Sequence, residues 1–352
     1  MGPFLSTGII RAALRCHTAQ PVGPARRSIY PGQSPGKSGL GERVQQALVL
    51  ILILLSGGVL AQDPAQPLRL GVIGDSLSTG YAGIAWSSTD PRPRNWVELL
   101  ASSGRADPGP WQDRPEGRQR PGFAFVWAAS GAGTAEILAA GWVEAAAQAL
   151  AAGRIEAVAV FIGHDDFRAL LTARSIGQVV SDGVVDSLLA DLDGRFSQIL
   201  NRLGEARRGR ILVHTLAEWQ RTPFIRSLGL NPDEYRRLAN AVARANGIIR
   251  AAARRRGLAV VDIERLTHSV LGGATLRVGG LVVETGYSAD ASRCCFIADG
   301  MHPGTLVSAL IANQVIPVLN AECGTAIPIF SPAESLAAAG LADLSPPPEG
   351  GP

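Results

Sequence analysis

Three side chains in this 352-residue chain have the types and spacing needed to cleave an acyl bond. Ser76 stands in Leu70-Gly71-Val72-Ile73-Gly74-Asp75-Ser76-Leu77-Ser78, where an apolar run stops abruptly at Gly-Asp-Ser. That pattern reads as a buried strand delivering one serine to the end of a sheet. A serine hydroxyl is a poor nucleophile until a base takes its proton and donors receive the oxyanion. The base must be found among five histidines. His17 lies in the leader, His214 inside an apolar strand as a hydrogen-bonded core residue, and His268 after a short helix with no partner motif. His164 neighbours the carboxylates Asp165 and Asp166. Only His302 has an acid at a suitable step, in Asp299-Gly300-Met301-His302-Pro303-Gly304. A carboxylate on such a turn can fold back towards the imidazole and fix its tautomer. Alone, Gly-Asp-Ser would read equally well as an ordinary strand-to-helix turn with a capping serine; the distant Asp-x-x-His tips the balance towards chemistry.

Those residues need a scaffold, and the pattern from residue 68 onward supplies one. Short apolar runs alternate with longer amphipathic stretches, the signature of a parallel sheet with helices on both faces. Strands are expected at 68–73, 123–129, 157–162, 210–215 and 258–263. Helices are expected at 95–102, from the Ser130-Gly131-Ala132-Gly133-Thr134 turn to about 152, at 184–203, from the Asn231 cap to 256, and from after Gly304 to about 319. Residues 274–278 and 281–284, joined by Gly279-Gly280, read as an inserted β-hairpin. The Ala- and Pro-rich stretch 331–352 reads as a disordered tail. With no internal repeat and no second core, the expected organisation is a leader over 1–61, one domain over 62–330 and the tail.

Four short motifs sit at expected strand ends, where open α/β sheets place their ligands. Gly74-Asp75-Ser76-Leu77-Ser78, the Ser130-Gly131 turn, Gly163-His164-Asp165-Asp166 and Asp299-Gly300-Met301-His302 resemble, in order and separation, the four blocks of the SGNH (GDSL) hydrolase family. The resemblance spans roughly residues 68–320. It implies a flavodoxin-like three-layer α/β/α sandwich with a parallel sheet of about five strands. It also implies Ser76 as nucleophile, His302 as general base and then acid, and Asp299 as its orienter. The oxyanion donors it implies are the Ser76 N–H, the Gly131 N–H and a third-block asparagine amide. Here the third departs: Asp165 stands where that asparagine belongs. An ionised carboxylate would repel the developing charge, and losing one donor typically costs about 100- to 1,000-fold in rate. Two arrangements would compensate: Asp165 kept protonated by burial and by repulsion from Asp166, or His164 supplying a donor. The remaining outcome is lost activity or a different donor geometry.

Composition narrows the rest. At 46% hydrophobic and 18% charged, the chain has room for a large core. The net charge of +3 is concentrated at the N-terminus. Residues 1–61 hold six basic and one acidic residue, leaving 27 basic against 29 acidic beyond them, so no nucleic-acid case remains. A basic lead, the apolar run 47–55 and small residues at Val59 and Ala61 match a secretory signal cleaved after Ala61. The 14 residues from 47 to 60, interrupted by Ser-Gly-Gly, are short against the roughly 20 needed to span a bilayer. The expected location is therefore periplasmic or secreted. In that setting one of Cys294 or Cys295 is expected to bridge Cys323. No cofactor or metal is expected: Gly131-Ala132-Gly133 lacks the third glycine of a dinucleotide turn, and adjacent cysteines lack metal-ligand spacing. Gly32-Gln33-Ser34-Pro35-Gly36 mimics a hydrolase elbow but follows no strand.

The sequence thus points to an exported serine esterase acting on a short-acyl, acetylated-glycan or lipid ester. The competing reading is a catalytically weak protein of the same fold that binds acylated glycans or an envelope partner. Cleft walls are expected from 79–95, 104–122, 216–231 and 274–298, with Trp86, Trp111 and Trp219 available for stacking on sugars.

Overall fold

The strand that carries Ser76, β1 (Leu68–Gly74), is buried at six of its seven positions, as expected of a strand covered on both faces. It belongs to a computed structural model that describes residues 66–81, 93–113, 121–175, 181–288 and 291–344. The leader, its apolar run and Trp86 lie outside the described residues. The remaining strands are β2 (Ala106–Asp107), β3 (Trp111–Gln112), β4 (Gly122–Phe123), β5 (Val126–Ala128), β6 (Ala157–Phe161), β7 (Arg210–His214), β8 (Ala259–Val261), β9 (Arg277–Val278), β10 (Leu281–Val282), β11 (Glu284–Tyr287) and β12 (Cys294–Phe296).

β1, β6, β7 and β8 run side by side, and β2 and β5 share the other edge of β1. Every pairing in this sheet is parallel. With β5 counted second, the order is 2-1-3-4-5, the flavodoxin-like doubly wound arrangement. The helices are α1 (Trp96–Ser102), α2 (Thr134–Ala139), α3 (Trp142–Ala151), α4 (Arg168–Ser175), α5 (Asp182–Gly204), α6 (Pro223–Ser227), α7 (Pro232–Arg255), α8 (Ile263–Leu271), α9 (Thr305–Cys323) and α10 (Pro332–Ala338). Strand residues alternate between the two faces. Leu70, Val72, Ala159 and Phe161 join the core beneath α1, α8, α9 and α10. Ile73, Val158, Val160 and Ile162 join the core beneath α2, α3, α5 and α7. By length and composition α9 could cross a membrane, but Leu306, Ala309, Ala312, Ile316 and Leu319 are buried in the first core.

Several expectations change in detail. The stretch 123–129 is not one strand: Gly122–Phe123 pairs antiparallel with Trp111–Gln112, and only Val126–Ala128 joins β1. The Ala-rich helix breaks at Gly141, whose φ of 69° no Ala-like residue adopts cheaply. The hairpin is present as β9 and β10, shorter than expected.

Two expectations are overturned. The segment from Ser331 is not a disordered tail through its described part. Ser331 and Glu334 form a reciprocal capping box that starts α10, and Leu336 is fully buried. Asn313 of α9 pins Phe330 through both its backbone groups, at 2.9 and 2.7 Å, and the Arg105 guanidinium lies 3.9 Å from the Phe330 ring centre. Nor do the cysteines bridge; none of Cys294, Cys295 and Cys323 is in a disulfide. The Gly304 N–H donates to the Cys295 carbonyl at 2.8 Å, which fixes β12 at the N-terminal end of α9. Cys323 closes that 19-residue helix, roughly 27 Å away along its axis, whereas a disulfide needs Cα atoms within about 7 Å.

Candidate active site

At the end of β1 the backbone runs so close to its surroundings that a Cβ on Gly74 would meet Ser78 at 2.7 Å and the Phe161 carbonyl at 3.0 Å. Beyond it Asp75 organises the turn. Its Oδ1 accepts the Leu77 N–H at 2.9 Å, and its carbonyl accepts the N–H groups of Ser78 and Thr79. Ser76 is left half-buried at the tip. β1 is also where the sheet order reverses between β5 and β6, the place where such folds open a crevice.

The second half of the site forms locally. Asp299 Oδ1 accepts the N–H groups of Met301 and His302 at 2.8 and 2.9 Å, curling the chain so that its Oδ2 reaches the ring of His302. His302 Nδ1–H donates to that Oδ2 at 2.5 Å, which leaves Nε2 bare. The Ser76 hydroxyl donates to Nε2 at 2.7 Å. Burial by itself would raise the Asp299 carboxyl, but hydrogen bonds and charge from His302, with the Met301 N–H, hold it below the usual range. Two contacts that sequence reasoning missed brace this turn. Tyr81, fully buried, donates its hydroxyl to the Pro303 carbonyl at 3.0 Å and sets its ring edge-on 6.1 Å from His302. The Phe224 N–H donates to the Gly300 carbonyl at 3.0 Å. Neither contact is legible locally, because Tyr81 and Pro303 are 222 residues apart.

The residues expected to hold an oxyanion emerge at the same sheet end. Gly74 is in register with Ala128 of β5 and Phe161 of β6. Gly131 lies three residues past the first partner and Asp165 four past the second. Gly131 has φ of 76°, and Arg168 ties its carbonyl back at 2.9 Å. Among the described residues, the N–H groups of Ser76 and Gly131 donate to no protein acceptor. Ser76, Asp165 and His302 line one pocket together with Asp75 and His164; Gly131 is not part of its wall.

His164 is not free to donate to an oxyanion. Its Nε2 accepts the Ala217 N–H at 2.9 Å, so the proton is on Nδ1, which donates to Asp75 Oδ2 at 3.2 Å. Asp165 has its ionisation displaced upwards. Burial, then the nearby Asp75 charge, push it up to about 6, with His164 and then Arg168 offsetting part. Asp166 contributes least of these, because its carboxylate faces Thr134, taking the Thr134 N–H at 2.9 Å and hydroxyl at 2.5 Å.

Other expectations shift as well. His214 is buried, stacked 4.9 Å from Phe161, and pushed down to about 3 by burial. The Val160 carbonyl offsets this in part, but neither ring nitrogen makes a well-formed hydrogen bond, contrary to the expectation for this position. His268 does have a partner, Glu218, at 3.1 Å. Trp219 is a buried wall of the pocket, while Trp111 stands on the β3–β4 hairpin against Phe123. Of the expected cleft walls, 216–231 contributes Ala217, Glu218, Trp219 and Thr222, and 274–298 contributes Phe296 alone. Helices α8 and α9, which no motif marks, add Ile263, Val270, Leu271, Val307 and Ile311 to the wall. Among the described residues no three His, Cys, Asp or Glu side chains converge as metal ligands.

The family model for the GDSL-like lipase/acylhydrolase family matches residues 72–304. Comparison with curated protein sequences gives no match. Solved structures similar to the chain include a phospholipase A1 from Streptomyces albidoflavus NA297, at 19% identity and TM-score 0.45, covering 73% of this chain and 99% of that one. An extracellular lipase from Streptomyces rimosus is 16% identical with TM-score 0.44, covering 72% and 99%. A lipase/acylhydrolase from Enterococcus faecalis is 14% identical with TM-score 0.40, covering 72% and 96%.

Proposed function

The chain belongs to the GDSL-like lipase/acylhydrolase family of ester-hydrolysing enzymes, and from that premise we propose that it cleaves carboxylic esters through an acyl-enzyme on Ser76. The observation that carries the reading is the continuous Ser76–His302–Asp299 hydrogen-bond chain. As the Ser76 oxygen attacks the ester carbonyl carbon, its proton passes to His302 Nε2. Asp299 holds the ring in the tautomer that can receive it and stabilises the imidazolium that results. The imidazolium then protonates the leaving alkoxide as the C–O bond breaks. Water repeats the sequence on the acyl-enzyme, its proton going to His302 and then to the Ser76 oxygen as the acid leaves.

The negative oxygen of each tetrahedral intermediate is received by the N–H groups of Ser76 and Gly131, with Asp165 beside them. Asp165 donates a hydrogen bond only when protonated, so it tunes the activity with pH. The same residue supports the second reading, a catalytically weak protein that binds acylated ligands at this pocket. Export rests on the leader, with its apolar run and small residues before Gln62. It would be tested by sequencing the N-terminus of protein recovered outside the cytoplasm; a start upstream of Gln62 would contradict it.

Hydrolysis of p-nitrophenyl esters by the wild type and by Ser76→Ala tests the catalytic reading. Turnover should fall by at least about 1,000-fold in the variant. Equal turnover by both proteins would overturn the role of Ser76, and folded wild type that turns over no ester would favour the binding reading.

A further inference from the structure

The pocket that begins at Ser76 and His302 continues well past the space a reacting carbonyl needs. It holds a cavity of about 80 Å³. One water-sized group needs about 10–15 Å³ by this measure, so there is room for roughly five to eight such groups, and a methylene is of similar size. Its far wall is apolar and comes from three elements. Ile263, Val270 and Leu271 project from α8, Val307 and Ile311 from successive turns of α9, and Phe296 from β12. All but Leu271 also belong to the buried core on that face of the sheet, so the wall is fixed by packing rather than hung on a loop.

The polar groups along the α8 side are already engaged. Thr267 Oγ1 accepts the Glu218 N–H at 2.9 Å and donates to the Ile263 carbonyl at 3.0 Å. The Glu218 carboxylate takes Arg221 at 2.9 Å and His268 at 3.1 Å.

Resting on the acyl-enzyme reading above, we propose that this cavity is an acyl-chain pocket, and that the preferred substrates are esters of unbranched acids of about six to nine carbons. An acetyl group would leave most of the cavity empty, since its methyl fills one group's worth of space. Each further methylene transferred from water into an apolar wall improves the transition state by about fourfold. The gain stops where the chain meets α9, because a longer chain must either displace core side chains or leave its end in water.

The test is a series of p-nitrophenyl esters from acetyl to palmitoyl, with the alcohol held constant, assayed on the full chain. kcat/KM should climb from acetyl to about the hexanoyl or octanoyl ester, by about 250-fold at hexanoyl from its four added methylenes, and fall by dodecanoyl. Val270→Phe, which fills the pocket, should lower the hexanoyl-to-acetyl ratio at least tenfold. Leu271→Ala, which enlarges it from a half-buried position, should move the optimum to longer chains. Thermal unfolding of each variant shows that the change is read on folded protein.

A profile that peaks at acetyl or is flat overturns the pocket while leaving the ester-hydrolysis reading intact. So does a ratio unmoved in both folded variants, or length dependence that appears only when the alcohol is varied. No turnover on any ester, together with no labelling of Ser76 by a fluorophosphonate, overturns the catalytic reading and this proposal with it.

Discussion

His164 joins the ends of three neighbouring strands by giving its Nδ1 proton to Asp75 at 3.2 Å and accepting the Ala217 N–H on Nε2 at 2.9 Å. Asp75 follows β1, His164 follows β6 and Ala217 follows β7, so one imidazole sets the spacing between the serine turn and the pocket wall. The same Asp75 carboxylate holds the Leu77 N–H that shapes the serine turn. The position thus performs a bracing role rather than the donor role weighed for it from sequence.

Replacing His164 by Ala leaves a buried carboxylate oxygen and the Ala217 N–H without partners. Each orphaned group costs about 1–3 kcal/mol. We expect a lower melting temperature and at least a tenfold loss of kcat, with His164→Gln recovering part of both because an amide can donate and accept. A folded His164→Ala protein with wild-type kcat and melting temperature would rule out the bracing role.

Asp165 gives the site a pH dependence of definite sign. Its folded value near 6 stands above the ordinary 3.8. The stability it contributes is therefore complete below about pH 4 and is lost as pH rises through about 6. Asp165→Asn, which cannot ionise, should be more stable than wild type at pH 8 by about 2 kcal/mol and should match it near pH 4. Its turnover at pH 8 should rise about 10- to 100-fold, since an amide restores a donor where the carboxylate repels charge. Equal or lower turnover of the Asn variant at pH 8 would contradict this.

The local half of the site was legible in the sequence because its geometry is local. Asp299 and His302 meet through a three-residue turn whose own N–H groups the carboxylate holds. Ser76 follows an apolar run that leaves little choice but a buried strand. The parts that were not legible depend on long-range packing. Tyr81 reaches Pro303, and the apolar pocket wall arises where α8 and α9 meet β12, with no residue pattern that marks it. The 331–344 segment did carry a signal in Ser331-Pro332-Ala333-Glu334, a capping box, which its Ala- and Pro-rich surroundings obscured.

That segment is part of the folded unit, and its removal should show it. Leu336 is fully buried against the core that also holds α9. Leu336→Ala should cost about 2–5 kcal/mol, read as a lower denaturation midpoint. A loss below about 0.5 kcal/mol would mean that α10 does not stay docked in solution.

The thiols offer a chemical check on the placement of β12 against α9. Denatured protein should titrate as fully reduced at Cys294, Cys295 and Cys323, and reductant should leave the native melting temperature unchanged. The buried Cys295 thiol, pushed up to about 12 by burial and then by the neighbouring Cys294, should be the slowest to react in native protein. A mass two units below the reduced value, restored by reductant, would place Cys323 against β12 and contradict the fold there.

The most direct test of the catalytic account is covalent labelling of native protein by a fluorophosphonate, located by peptide mass analysis. The expected result is one adduct on Ser76, absent from Ser76→Ala and slowed at least 100-fold in His302→Ala, whose serine has lost its base. Labelling at another residue, or equal labelling rates in His302→Ala and wild type, would contradict the claim that His302 activates Ser76.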